Sequence, residues 1–181
     1  MKILFISDLH GSYDRAKTVL DKAENFNPDF IVLLGDLLYH GPRNPLPAGH
    51  DPKATVVLLN SYKEKIIAVR GNCDAEVDQM VLDFPMMSDF SWLVADGRRI
   101  FLTHGHLWNP ENMPPLTTGD TFVYGHVHRP KAYTDENGIN IWNPGSCSLP
   151  KQSDRPTYAT FEDNTFRVFE LNDTCILEQT L

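Results

Sequence analysis

Cysteine is scarce, with only Cys73, Cys147 and Cys175 in 181 residues. An odd, sparse set does not make the paired framework of a disulfide-stapled secreted domain, and it suits a reducing compartment. Long apolar runs are missing too. None approaches the ~18–20 residues that a membrane-spanning helix needs. The N-terminal run Ile3–Ile6 meets Asp8 and His10 at once, unlike a secretory leader. The expectation is a cytoplasmic protein with no membrane association. Basic charge is in deficit, 16 Lys plus Arg against 24 Asp plus Glu, for a net charge of −8. A broad cationic footprint for duplex nucleic acid is therefore missing, and stable duplex binding is not expected. An anionic ligand would need a local positive source, which bound metal ions supply. Internal repeats, low-complexity tracts and linkers are absent. What remains is ordinary globular material, 41% hydrophobic and 22% charged. The length suits a single domain over residues 1–181, long enough to bury a core without staples.

The first two thirds alternate strand and helix patterns. Lys2–Ser7 and Phe30–Gly35 are continuous apolar runs, suited to buried strands. Between them, Tyr13–Phe26 places Ala16, Val19, Leu20 and Ala23 on one helical face. A loop with three prolines and two glycines, Tyr39–His50, leads to Asp51-Pro52, an N-cap followed by proline at the first helical position. That helix is expected to run to about Lys63, followed by a strand over Lys65–Arg70 and a helix over Asp74–Leu82. The remainder reads as short strands, Arg98–Thr103, Thr121–Tyr124, Ile139–Trp142, Thr157–Phe161, Phe166–Leu171 and Cys175–Glu178. Turn pairs such as Asp96-Gly97, Asn137-Gly138 and Asp163-Asn164 separate them. One α/β domain of two sheets with outer helices is the simplest packing.

Five short motifs hold most of the chemistry. They are Asp8-Leu9-His10, Gly35-Asp36, Gly71-Asn72-Cys73-Asp74, Thr103-His104-Gly105-His106 and Gly125-His126-Val127-His128. Each follows an expected strand, at the edge where open α/β sheets bind ligands. Imidazole with carboxylate suits Mn, Fe or Zn. A carboxylate such as Asp36 is able to bridge two ions, and Asn72 offers a neutral carbonyl oxygen. Each motif alone has an ordinary structural reading, a capped turn or a histidine satisfied by the backbone. The ordered set at five strand ends points instead to a dinuclear centre.

The order D-x-H, GD, GN-x-D, H, GHxH resembles the calcineurin-like metallophosphoesterase superfamily over almost the whole chain. The small size, His40–Asn44 (HGPRN), Arg70–Asp74 (RGNCD) and Asn143–Ser146 (NPGS) resemble its YfcE-type bacterial phosphodiesterase subgroup. The resemblance implies a four-layer α/β fold, two packed β-sheets flanked by α-helices. It implies two divalent ions, commonly Mn2+, with Fe, Zn and Ni as alternatives. Carried over by motif, Asp8, His10 and His128 would hold one ion, Asn72, His104 and His126 the other, and Asp36 would bridge them. The implied reaction is hydrolysis of a phosphodiester by in-line attack of a metal-bridging hydroxide, with Asp36, Asn72, Cys73, Asp74 and His104 in the catalytic set. Two ions 3.5–4 Å apart, at about the usual spacing of such sites, clamp the attacking and leaving oxygens of such a displacement.

Two positions depart from the broader pattern. Cys73 stands where many members carry a histidine, and a thiol is a weak substitute for an imidazole at a leaving group. Activated aryl diesters are therefore expected to outrun alkyl ones. Tyr39 stands where the pattern GDxxD has an acid. Asp74 either orients a neighbouring histidine or caps a helix. Arg43, Cys73 and His106 are the candidate substrate contacts, Arg43 through its guanidinium fork; a solvated loop arginine is the plain alternative. Arg70 is open to pairing with an acid, and Trp92 and Trp108 to lining a pocket or to packing. The substrate is expected to be a small or linear anionic phosphoester. Two other readings stand beside this one. One is a phosphomonoesterase or phosphoprotein phosphatase with the same centre. The other is a non-catalytic scaffold of the same fold, as in the small subunit of retromer. The alternating tail Phe166–Leu181 ends as a candidate exposed edge, so a homodimer paired there is a further expectation.

Overall fold

The computed structural model describes residues 1–151 and 155–181. The N-terminal half builds β1 (Ile3–Ile6), α1 (Tyr13–Phe26), β2 (Phe30–Leu33), α2 (Pro52–Asn60), β3 (Ile66–Ala68) and α3 (Glu76–Gln79). The rest is strand: β4 (Phe90–Ala95), β5 (Arg98–Thr103), β6 (Thr121–Val123), β7 (Pro130–Thr134), β8 (Asn140–Pro144), β9 (Thr157–Glu162), β10 (Thr165–Glu170) and β11 (Cys175–Thr180). The first sheet runs β11-β10-β9-β1-β2-β3 and the second β4-β5-β6-β8-β7. β1, β2 and β3 are mutually parallel, as are β5, β6 and β8. Their carboxyl ends gather the motif loops.

The inner core between the sheets holds Phe5, Val32, Leu102, Val123, Trp142 and Phe166. Trp142 stacks on Phe166 with ring centroids 4.4 Å apart. On the outer face of the first sheet, α1 lays Ala16, Val19, Leu20 and Ala23 against Leu4, Ile6, Ile31 and Leu33. These are the positions that its helical period assigns to one face, and each large aliphatic chain so buried contributes about 1.5–3 kcal/mol. Asp51 caps α2 by accepting from the Ala54 amide at 3.0 Å.

The two packed sheets agree with the sequence reading, and the outer layers differ from each other. Helices cover the first sheet, whereas Trp108, Met113 and Leu116 of the irregular segment 107–119 cover Phe101, Phe122 and Ile139 of the second. Two strands escape sequence reading, β4 and β7, and both lie at edges of the second sheet. The expected helix over Asp74–Leu82 shrinks to the single turn of α3, because the Asp74 carboxylate is engaged elsewhere. α2 stops at Asn60, and a 3-10 turn at Lys63–Lys65 precedes β3. β11 is an edge strand, as the tail pattern suggests. Its Gln179 accepts from Trp142 Nε1 at 2.8 Å and donates to Thr134 Oγ1 at 2.8 Å, which ties this edge to β7 and β8 of the other sheet. Among the described residues, no helix is long and apolar enough to cross a membrane.

Candidate metal centre

All five motifs meet at one rim, and the backbone there is unusual. Asp8, His10, Asp36, His126 and His128 each have positive φ, between 49° and 65°. Asp and His tolerate this region better than most residues, and the conformation turns each side chain off its strand end toward a shared point. The loops are laced together. The amides of Asp8, His10 and Gly11 donate to the carbonyls of Gly35, Asp36 and Leu37 at 3.2, 2.8 and 2.9 Å. Gly71 passes so close to Asp36 that a Cβ there would run into the carboxylate.

Three imidazoles are set the same way. His10 Nδ1 meets the carbonyl of Tyr39 at 2.9 Å, His104 Nδ1 that of Leu34 at 2.6 Å, and His128 Nδ1 that of Leu149. A carbonyl only accepts, so each Nδ1 carries the proton and each Nε2 lone pair faces inward. His10 Nε2 and His128 Nε2 then lie 3.4 Å apart, two acceptors with no donor between them. Asp8 Oδ1 is buried beside them without a hydrogen-bond partner. It lies 3.1 Å from His128 Nε2, but the contact lacks hydrogen-bond alignment. Converging lone pairs and an orphaned buried carboxylate oxygen repel unless a cation sits among them, so this donor set fits a divalent metal.

Asp36 faces two ways. Its Oδ2 is 3.7 Å from His10 Nε2 and its Oδ1 is 3.5 Å from His104 Nε2, an arrangement suited to bridging. Three groups have donor atoms within 4.8 Å of one another: Asp8–His10–His128, Asp8–Asp36–His104 and His10–Asp36–Cys73. Asn72 Oδ1 adds a carbonyl oxygen 3.1 Å from His104 Nε2. His126 is outside those three groups. Its amide donates to Asp8 Oδ2 at 3.1 Å, and its ring lies edge-on to His104, centroids 5.1 Å apart.

Burial raises the Asp8 carboxyl, but the imidazoles of His128 and His104 and the Ser7 hydroxyl at 2.6 Å outweigh it and hold Asp8 below the usual carboxylate range. Burial pushes His10, His126 and His106 below the ordinary histidine value, favouring the neutral form that binds metal. His128 moves up, because Asp8 outweighs the opposing effect of burial. Burial, with Asp36 beside it, pushes the Cys73 thiol up to about 12. Cys73 therefore faces the cleft as a neutral thiol, its amide donating to Asp36 Oδ1 at 2.8 Å.

Asp74 neither orients a histidine nor caps α3. Its oxygens accept from the amides of Asp36, Leu37 and Gly71 at 2.8, 2.8 and 2.7 Å, stapling two motif loops to each other. Asp78 takes the cap instead, accepting from the Ala75 amide. Arg43 is exposed and lines the cleft. The His106 ring sits 5.4 Å from that of His104 and 6.3 Å from that of His126, between centroids. Arg70 binds Asp89 at 2.6 Å. Trp92 and Trp108 pack on Phe101, and Trp92 also lies under the Arg99 guanidinium.

Other groups support the rim, two of them from the NPGS segment. Lys151 lines the cleft, as Arg43 does. Ser146 and Ser148 hydroxyls donate to the Asp8 carbonyl at 3.0 and 2.7 Å, and Asn143 Nδ2 donates to the Gly125 carbonyl at 2.9 Å. Tyr39 serves His10 through its backbone, so the missing acid at this position leaves His10 still oriented.

Comparison with known proteins agrees with this geometry. The calcineurin-like phosphoesterase superfamily domain matches residues 1–165. Phosphodiesterase YfcE of Escherichia coli K12 is 44% identical over 180 residues, 99% of this chain and 97% of that one. The structure of YfcE, described as a phosphoesterase from E. coli, superposes with a TM-score of 0.97 at 42% identity, covering 99% of both chains. Vps29 of Entamoeba histolytica, crystallised with Zn2+, shares the fold alone, with a TM-score of 0.65 at 19% identity and 97% of both chains covered.

Proposed function

The chain belongs to the calcineurin-like phosphoesterase superfamily, and from that premise we propose that it is a divalent-metal-dependent phosphodiesterase acting on a small or linear anionic phosphodiester in the cytoplasm. One observation carries the reading, the inward Nε2 lone pairs of His10, His104 and His128 around the orphaned Asp8 oxygen. Asp8, His10 and His128 would hold one ion, and Asn72, His104 and His126 a second, with Asp36 between them. Mn2+ is the proposed metal, since hard oxygen donors mixed with imidazole suit it. Two such ions neutralise phosphoryl charge and lower the pKa of water held between them.

The chain's own groups do the rest. The cleft, about 830 Å3, is lined by Arg43 and Lys151 as well as by Asp36, Asn72, His126 and His128, so cationic side chains face an incoming phosphate. The Tyr39, Leu34 and Leu149 carbonyls hold the tautomers of His10, His104 and His128, so these three rings are oriented in advance. Cys73 adds no negative charge near the phosphoryl oxygens. The three cysteines are free thiols, in keeping with a reducing compartment.

The test is hydrolysis of bis(p-nitrophenyl) phosphate by metal-stripped protein as Mn2+ is restored in steps, with Asp36→Asn in parallel. We expect activity to saturate at about two ions per chain and to fall at least about 100-fold in the variant. Tight metal uptake without turnover of diesters or monoesters would support the scaffold reading instead.

A further inference from the structure

A second concavity adjoins the metal cleft, and its chemistry is opposite. It is a groove of about 620 Å3 between α2 and α3, walled by Leu38, Val56, Ala75, Val77 and Val81. This volume is in the ~300–1,000 Å3 range of small-molecule sites. Tyr39, Cys73 and Ala75 line both the groove and the cleft, so the two are continuous.

We propose that this groove seats one apolar ester arm of the substrate, so that the phosphodiester cleaved here carries a hydrocarbon substituent, aliphatic or aryl. The proposal rests on the phosphodiesterase reading above and names its substrate class. Val77 is 62% exposed, Val81 46% and Tyr39 45%, three large apolar side chains facing one space. α3 is a single turn and leaves that space open. Two of the polar groups along the groove have partners. Asp78 accepts from the Ala75 amide at 2.8 Å, and His50 Nδ1 meets the His10 carbonyl at 3.0 Å. Lys53 is the cationic group that lines it. The polar edges of a nucleobase or sugar would find few partners here, whereas a hydrocarbon arm buries apolar area without that cost. The site thus divides the substrate: charge goes to the cleft with Arg43 and Lys151, hydrocarbon to the groove.

The experiment uses the metal-loaded full chain and a series of methyl-, butyl- and octylphosphonate. They are measured as inhibitors of bis(p-nitrophenyl) phosphate hydrolysis and, independently, by the methyl NMR resonances of Val56, Val77 and Val81. Affinity is expected to rise about three- to fourfold per added methylene until the groove is filled. The three valine resonances should move with octylphosphonate and stay still with methylphosphonate. Val77→Asp should flatten the chain-length dependence, while Val57→Asp, on the solvent face of α2, should preserve it. A flat series in a protein that still hydrolyses the aryl diester overturns the groove assignment and leaves the phosphodiesterase standing. No hydrolysis by metal-loaded protein overturns both. A multimer by light scattering that Val77→Asp dissociates assigns the groove to a second copy of the chain, and also overturns the proposal.

Discussion

At the scale of single residues, the site depends on what its ligands lean against. Asp74 shows this best. Three backbone amides converge on its carboxylate, two from the loop after β2 and one from the loop after β3. Asp74→Asn keeps the size but turns an amide NH2 toward one or more of those donors. We expect Mn2+ affinity to fall about 10–100-fold, the usual cost of disturbing the groups that orient ligands, as read by metal titration on a folded variant. Cys73 leads to a different expectation. A thiol is a weaker general acid near neutral pH than the imidazole that many family members carry at this position. Missing general-acid help is worth about 10²–10⁴-fold, so a dialkyl phosphodiester should turn over at least about 100-fold more slowly than an aryl one. Equal rates would count against this account of Cys73. The residues that converge at the rim were legible because each follows an apolar strand run in a compact Gly/Asp/His motif. The carbonyls of Leu34, Tyr39 and Leu149 were not, since any residue supplies a carbonyl and only tertiary structure decides which one meets a histidine.

At the scale of elements, the strands that sequence missed were the ones at edges. β4 points Phe90, Trp92 and Val94 outward while Leu93 and Ala95 are buried. Apolar residues on both faces erase the period-two pattern that marks a half-buried strand. β7 opens on Pro130, which an edge strand tolerates because no ladder bond is lost. The approach to β6 relies on a charged lock. Asp120, nearly buried, accepts from the Thr117 amide at 2.8 Å and from Arg99 Nε at 2.9 Å. Burial raises the Asp120 carboxyl, but Arg99 and Thr117 outweigh it and the net shift is downward. A carboxyl lowered in the folded state stabilises the protein above its unfolded-state value near 4, and that contribution is lost as pH falls through the lower folded value. Asp120→Asn should therefore lower Tm by about 2–6 °C at pH 7. The gap between variant and parent should narrow below pH 4. A gap that stays constant from pH 7 to pH 3 would show that the ionised carboxylate is not what holds this turn.

At the scale of the whole molecule, the centre joins the two sheets. Asp8, Asp36 and Asn72 follow strands of the first sheet, and His104 and His126 follow strands of the second. β1 and β6 share no ladder, yet the His126 amide binds the Asp8 carboxylate across the gap, and the Ser146 and Ser148 hydroxyls hold the Asp8 carbonyl from beyond β8. An ion held by Asp8, His10 and His128, or by Asp8, Asp36 and His104, would join loops of both sheets and bind the folded chain far better than the unfolded one. Linkage then requires metal to raise global stability. At a free metal concentration of about 100 times Kd the gain is about 2.7 kcal/mol, which for a chain of this length corresponds to a Tm rise of about 5–10 °C. The acidic character of the chain, net −8, works in the same direction, since two divalent ions reduce the self-repulsion of the compact state. Thermal melts with Mn2+ and with a chelator should show that rise in the parent and a much smaller one in Asp36→Asn, because the Asp36 carboxylate faces His10 on the first sheet and His104 on the second. A rise of equal size in both proteins would place the stabilising metal away from Asp36, and the bridging role would fall with it.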